Sequence, residues 1–418
     1  MDIELFYISY DGIINQSVFD SQVIGFLRKI SGNKKLKINF IGFENLKIYI
    51  FKNKYLRYKK KILCDLGMEV YFYPRVPGLT GIYLNILLIL IRFYLSLFIK
   101  KNKIVFHARG NKSALIACKI KRILPFLKII YDSRGVEPEE YLYSKRLSKK
   151  KNSYLSSREM NIFHKLKGIE EYVVKNSDKV FAVSNELRKY YLKKYRISKD
   201  KIYVIPCCID KSVFYFDEKI RKRVRDNYNL NDKIVLVYCG SMHLLQKPEI
   251  ILKFFKEVYK LEKKVFLLIL TYNLERAEKF IQAENIFMES YKVLSLDHNK
   301  IPPLLNASDI GIIFREKNLV NRVASPTKFA EYISCGLYTV LTDGIGDISD
   351  MVVKKNIGEV VKSLQDSDIE LFANRILLKR KMIQSYEYKN KIYNLACQEY
   401  DWDNYITNIL LIYKNLSS

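Results

Sequence analysis

Short, almost unbroken apolar runs recur along the chain, separated by longer stretches with helical spacing. Seven fall in the first half: Leu5–Ser9, Lys37–Phe43, Glu69–Tyr73, Ile104–Ala108, Lys128–Asp132, Lys179–Val183 and Ile202–Pro206. Strands apolar on both faces and alternating with helices predict a parallel sheet covered on both sides. The runs Lys233–Tyr238, Val265–Leu270 and Tyr338–Leu341, with the segment Ile301–Phe314 between the last two, predict a second sheet. Ligands of such sheets sit beyond the carboxyl ends of the strands, so the strand ends are where chemistry is sought.

One stretch, Arg322 to Gly344, carries the densest signal. Ser325-Pro326-Thr327 predicts a helix start, because a proline there presets φ and gives up an amide that would go unpaired anyway. Lys328, Phe329, Tyr332 and Ile333 follow at helical spacing, Gly336 ends the helix, and Tyr338 opens a buried strand. Free amides at that helix end, with Lys328 beside them, suit a phosphate, and Glu331 is placed to accept hydrogen bonds from a sugar diol. An ordinary helix–strand unit with a solvated glutamate fits the same spacing, and spacing alone leaves both readings open.

The run Ser-Pro-Thr-Lys-Phe-Ala-Glu-Tyr-Ile-Ser-Cys-Gly-Leu, residues 325–337, resembles the donor-binding signature of family 4 glycosyltransferases, which have the GT-B fold. The resemblance implies two Rossmann-like parallel-sheet domains facing a cleft, with a last helix crossing back to the first domain. It also implies that Glu331 binds the ribose of a nucleotide sugar. Many members carry a second glutamate eight residues earlier; Val323 stands there, as in a branch of the family that also lacks it.

Length and charge refine the picture. At 418 residues with 49% hydrophobic content the chain holds two domains, each with a full core. The expected division is 1–210 for an acceptor-binding domain, 211–395 for a nucleotide-sugar domain and 396–418 for the returning helix. Seven scattered cysteines form no metal-ligand pattern and read as reduced thiols in a cytoplasmic protein. The start, with its early acidic residues, does not resemble a secretory signal. The run Ile82 to Ile99 contains Asn85, Arg92 and Ser96, which favours a buried or amphipathic helix over a membrane span. Net charge is +28, split as +23 over residues 1–210 and +5 over the remainder. Lysine-rich composition makes a chain basic throughout, but the asymmetry argues for a partner of the first domain: an anionic membrane surface or a polyanion. No nucleic-acid-binding pattern accompanies it.

Four strand ends in the first half hold polar residues. Gly12 permits a tight turn after the first strand, lined by Asp11, Asn15 and Gln16. His107 and Arg109 end the fourth. Asp132, Arg134, Glu137 and Glu140 follow the fifth, ahead of a basic stretch, residues 144–153, expected to be a mobile loop. Ser184 caps a helix after the sixth. Structural roles account for each of these alone. The resemblance implies that Gly12 approaches the donor phosphates, that His107 lies beside the transferred sugar and that Asp132, Arg134 and Arg109 lie on the acceptor side.

In the second half Gly240-Ser241 makes a strand-to-helix turn with Lys247 six residues on, where the family has Gly-Arg and a lysine holding the donor diphosphate. Ser241 replaces the arginine, and Lys328 is the expected substitute cation. Likewise Cys207-Cys208 stands where Asn-Gly is usual. His298 reads as structural. The triplets at Asp366 and Asp401 follow no buried strand of a nucleotide-binding half, so no metal or other cofactor is expected.

The combined reading is a retaining, metal-independent glycosyltransferase of the bacterial surface-polysaccharide type (capsule or lipopolysaccharide). Its catalytic residues are His107, Lys247 and Lys328. Its donor site comprises Gly12, Gly240, Ser241, Lys247, Ser325, Pro326, Thr327, Lys328 and Glu331. Expected partners are a nucleotide sugar, a saccharide or lipid-linked acceptor and the inner face of an anionic membrane, with no nucleic acid. The alternatives are a GT-B nucleotide-sugar epimerase and an inactive binding or scaffold protein of the same fold.

Overall fold

The computed structural model describes residues 3–13, 17–75, 85–90, 103–148, 154–362 and 365–417. It divides into two compact units: Met1–Pro206 together with Trp402–Ser418, and Cys207–Asp401. The divisions fall at 206 and 401, where the sequence suggested 210 and 395. The helix Tyr386–Glu399 accordingly belongs to the second unit, and only the last helix, Asp403–Ser417, joins the first.

The first unit is built on seven parallel strands: β1 Ile3–Ser9, β2 Leu36–Asn45, β3 Glu69–Arg75, β4 Lys103–Arg109, β5 Lys128–Ser133, β6 Lys179–Ala182 and β7 Ile202–Val204. Their order is β3-β2-β1-β4-β5-β6-β7, so the chain reverses direction of travel between β1 and β4. Leu5, Phe6, Tyr7 and Ile8 are all buried, which is why β1 is apolar without alternation. Trp402 anchors the returning segment: its ring lies 5.2 Å from that of Phe26 and packs over Gly25.

Six parallel strands form the second unit: β8 Ile234–Cys239, β9 Val265–Leu270, β10 Tyr291–Leu294, β11 Ile310–Ile313, β12 Tyr338–Thr342 and β13 Gly358–Val361. Their order, β10-β9-β8-β11-β12-β13, repeats the same reversal between β8 and β11. The helix Thr327–Ser334 packs on this sheet through Tyr332, whose ring occupies the space a side chain at Gly311 would need. The Tyr332 hydroxyl accepts from the Cys239 amide at 2.8 Å. A glycine in β11 is thus the condition for seating the helix.

At the amino-terminal foot of β11 lies a buried charge cluster. Asp309 meets Arg221 at 2.5 Å, Arg225 at 3.4 Å and Lys389 at 3.6 Å, and accepts from the Val235 amide at 2.8 Å. Burial opposes the Asp309 charge, but Arg221, Lys389 and Arg225 hold its carboxyl well below the usual range. Burial and then Arg221 pull the Lys389 ammonium down, so it is the lysine of the group that gives way. The cluster ties the helices Glu218–Asn227 and Tyr386–Glu399 to the sheet, at the end away from the candidate site.

One sequence expectation meets a different structure. Residues 144–147 of the basic stretch continue the helix Glu137–Leu147 instead of forming a loop, because Pro138 and three glutamates in its first turn favour a helix there. Residues 149–153 lie outside the described residues. Of the run Ile82 to Ile99, residues 85–90 are helical and the rest lies outside. Among the described residues no helix is long and apolar enough to cross a membrane.

Candidate functional site

The carboxyl ends of β8, β11 and β12 bring most of the expected donor residues to one edge of the second sheet. Gly240 follows β8 with φ 147°, a conformation that L side chains rarely adopt. A Cβ there would lie 2.8 Å from Lys328 Nζ, so the glycine makes room for that cation. Lys328 Nζ donates to Gln246 Oε1 at 2.9 Å and stands 4.4 Å over the Tyr238 ring. Burial first, then the Arg315 guanidinium, push its ammonium down to about 7. A buried ammonium within the field of a second cation favours an anion beside it.

Lys247 is the second expected cation. Its backbone is left-handed, φ 52° and ψ 52°, immediately before the helix Pro248–Leu261, a conformation a non-glycine residue adopts at a cost. Its Nζ is paired with Glu316, just past β11. The backbone of that segment is pinned by Thr342, whose hydroxyl accepts from the Arg315 amide at 2.9 Å and donates to the Arg315 carbonyl at 2.8 Å.

The signature helix begins at Thr327, with Pro326 at the capping position. Ser325 precedes it and its hydroxyl accepts from the Cys207 amide at 3.1 Å, so this serine also secures the start of the unit. Glu331 lies one turn in, almost fully buried, with Oε1 3.1 Å from His298 Nε2. The His298 ring packs against Phe214 at 5.2 Å. Val323 is fully buried, so the position of the absent glutamate faces the core. Ser241 stays in the turn, its carbonyl accepting from the Tyr238 hydroxyl at 2.6 Å.

The first unit gathers its own polar cluster at the carboxyl ends of β1, β4 and β5. Asp132 bridges Arg109 at 3.4 Å and Arg134 at 3.3 Å. Arg109 also reaches Asp11 at 3.4 Å, and Arg134 donates to Gln22 at 3.0 Å. Burial resists the charge on Asp132, but Arg134, His107 and Arg109 hold its carboxyl well below the usual range. Gly110, with φ 79°, lets Asp11 approach: a Cβ there would sit 3.2 Å from Asp11 Oδ1. Gly12 has φ 94°, as the tight turn after β1 requires; Asn15 and Gln16 lie outside the described residues.

His107 occupies a deeper layer than its neighbours. Its side chain is 3% exposed, enclosed by Tyr7, Phe26, Phe181 and Tyr413, and its Nδ1 shares a 2.6 Å hydrogen bond with the Tyr413 hydroxyl. Nε2 points towards Asp132 at 3.6 Å. Burial lowers its pKa despite that carboxylate. This geometry suits a residue that secures the last helix through Tyr413.

Gln246, His298, Arg315 and Glu316 join the expected residues of the second unit at this edge, and the sequence reading had given none of them a place there. Arg315 and Glu316 stood in plain view past a strand end at the point where the sheet order reverses; His298 had no such signal. Among the described residues no three His, Cys, Asp or Glu side chains come together as a metal site.

The family model described as Glycosyltransferase Family 4 matches residues 65–213. No curated protein sequence matches the chain. Among solved structures the chain is similar to Anabaena Alr3699/HepE in complex with UDP and glucose, with a TM-score of 0.70 and 11% identity over 99% of both chains. It is similar also to WaaG, a glycosyltransferase involved in lipopolysaccharide biosynthesis, with a TM-score of 0.62 and 14% identity over 97% of this chain and 99% of that one. The fold is GT-B. It is similar as well to a putative UDP-N-acetylglucosamine 2-epimerase from Listeria monocytogenes, with a TM-score of 0.56 and 9% identity over 94% of this chain and 91% of that one.

Proposed function

We propose that the protein is a retaining family 4 glycosyltransferase that moves a sugar from a nucleotide donor to a saccharide acceptor, lipid-linked and presented at the inner face of a membrane during surface-polysaccharide synthesis. The observation that carries this reading is the turn at Gly240: a glycine that admits Lys328, with Lys247 beside it and Glu331 one helical turn away. The match of residues 65–213 to the glycosyltransferase family model and the UDP held by a GT-B relative support it.

In this reading Lys328 and Lys247 receive the donor diphosphate, and Arg315 adds the positive charge that Ser241 lacks. Glu331 takes the ribose hydroxyls. The bond between the anomeric carbon and the diphosphate oxygen breaks on the face where the acceptor oxygen attacks. The acceptor proton passes to the departing phosphate oxygen, and the lysines stabilise the charge gathered there. Three cations of the chain meet the electrostatic need, so a metal is dispensable. Asp132, Arg134 and Arg109 serve the acceptor, with His107 in the layer beneath them.

The test is turnover. Purified protein given UDP-, GDP- and dTDP-sugars releases sugar slowly from one of them, does so in the presence of a chelator, and with a sugar acceptor yields a product of retained configuration. The epimerase relative motivates the second reading, which is distinguished by a donor whose sugar is inverted at one carbon without any acceptor. Nucleotide binding without either reaction would identify a binding protein.

A further inference from the structure

The first unit carries a short helix that leaves most of its apolar side chains at the surface. Residues Leu46–Phe51, LKIYIF, are apolar at five of six positions, yet none of their side chains is buried. Asn45 caps the helix, its side chain accepting from the Lys47 amide at 3.0 Å, so the exposed conformation is a formed one. Phe51 is 82% exposed and Ile50 57%. Isolated apolar residues on a surface are ordinary; a contiguous set on one short helix marks a contact surface.

The next helix, Asn53–Asp65, extends the set. It packs inward through Leu56 and Leu63, and turns Tyr55 and Tyr58, 59% and 61% exposed, to solvent. Around those tyrosines stand Lys54, Arg57, Lys60 and Lys61, all exposed, and no acidic residue occurs from 46 to 64. The two helices pack along β2 and the edge strand β3, and they concentrate part of the +23 excess of residues 1–210 on one surface.

Apolar side chains interleaved with amphipathic tyrosines and long cations match one kind of surface. Aliphatic and phenyl groups enter the boundary between headgroups and acyl chains, tyrosines sit at that boundary, and lysine and arginine stems extend to lipid phosphates. A nucleic-acid backbone would use the cations and leave Phe51, Ile50 and Leu46 in water. We propose that residues 46–61 form a docking surface for an anionic lipid bilayer, laid on the membrane and not through it. The inference deepens the membrane-presented acceptor of the proposed function and is tested apart from it.

Flotation of the full chain with vesicles tests the surface. One set is phosphatidylcholine alone and the other includes about one third phosphatidylglycerol. The expected result is binding to the anionic vesicles, weakened by high salt. It falls at least about tenfold in the triple variant Lys54→Glu, Arg57→Glu, Lys61→Glu and again in Phe51→Ser with Ile50→Ser. The altered side chains are exposed, so both variants should melt as wild type and bind nucleotide unchanged, which separates failure here from failure of the donor site. Equal binding of wild type and both variants, equal binding to neutral vesicles, or no binding to either set would overturn the proposal. Preferential capture of a DNA duplex over anionic vesicles would overturn it in favour of a polyanion partner.

Discussion

Nε2 of His298 lies 3.1 Å from Oε1 of Glu331, 33 residues further along the chain, and both side chains are nearly buried. A carboxylate held on one oxygen has its second oxygen directed, which is what binding a ribose diol demands. Replacing His298 with alanine is expected to weaken binding of the nucleotide the wild type prefers about tenfold to a hundredfold, the range for a lost hydrogen bond to a charged group. Glutamine at 298 should recover part of the loss. The specific readout is discrimination: wild type is expected to prefer the ribonucleotide it binds to the 2′-deoxy analogue, and the alanine variant to lose that preference. Calorimetric titration of both ligands measures it.

Lys328 gives the site a pH dependence of defined sign. Its ammonium is lowered to about 7 in the folded, empty protein, below the ordinary lysine value of 10.5. A diphosphate beside it favours the charged form, so nucleotide binding above neutral pH takes up close to one proton and weakens as pH rises. Titrations in buffers of different ionisation enthalpy count that proton. The linkage to stability has the opposite benefit: the cost of keeping Lys328 charged is full below about 7 and fades as pH approaches 10.5. Lys328→Met is therefore expected to raise the melting temperature of the empty protein, more in mildly acidic than in alkaline buffer, while abolishing nucleotide binding.

Substitution at Asp132 and Arg134, the residues proposed to serve the acceptor, tests acceptor use apart from donor binding. Arg134 is fixed by Asp132 at 3.3 Å and by Gln22 at 3.0 Å, so alanine at 134 removes a held cation without opening a core cavity. Transfer to the acceptor is expected to fall about tenfold or more, with nucleotide affinity unchanged. His107→Ala should lose stability before it loses donor affinity, because it empties a space among four aromatic rings. Chemical denaturation beside nucleotide titration distinguishes these outcomes.

The cluster at Asp309 is expected to dominate the stability of the second unit. Asp309→Ala leaves Arg221, Arg225 and Lys389 without their shared carboxylate, a loss of about 3–5 kcal/mol for a broken buried pair. Lys389→Met removes the cation whose charge is already disfavoured and should cost far less. Urea unfolding of the two variants checks the order.

Much of this was legible in the sequence because parallel strands buried on both faces are written as continuous apolar runs. β1, β4, β8 and β9 were found within a residue or two for that reason. The edge strand β13, Gly358–Val361, has only two fully buried residues and gave no such run. Gly240, Lys247, Lys328 and Glu331 were legible because a strand-to-helix turn and a helix start fix where their backbones lie. Their partners were not: His298, Gln246 and Glu316 meet them across 33, 82 and 69 residues, and such pairings follow from how the strands assemble. The depth of His107 was hidden likewise, since the Tyr413 that covers it comes 306 residues later.

The central claim is that the carboxyl edge of the second sheet holds a nucleotide diphosphate. Calorimetric titration of the full chain with UDP, GDP and dTDP, beside Glu331→Ala and Lys247→Ala, tests it most directly. The account predicts that one nucleotide binds wild type and that each variant weakens it by at least about tenfold, through loss of the ribose carboxylate or of a phosphate cation. Equal affinity in wild type and both variants, or no binding of any nucleotide, would contradict it.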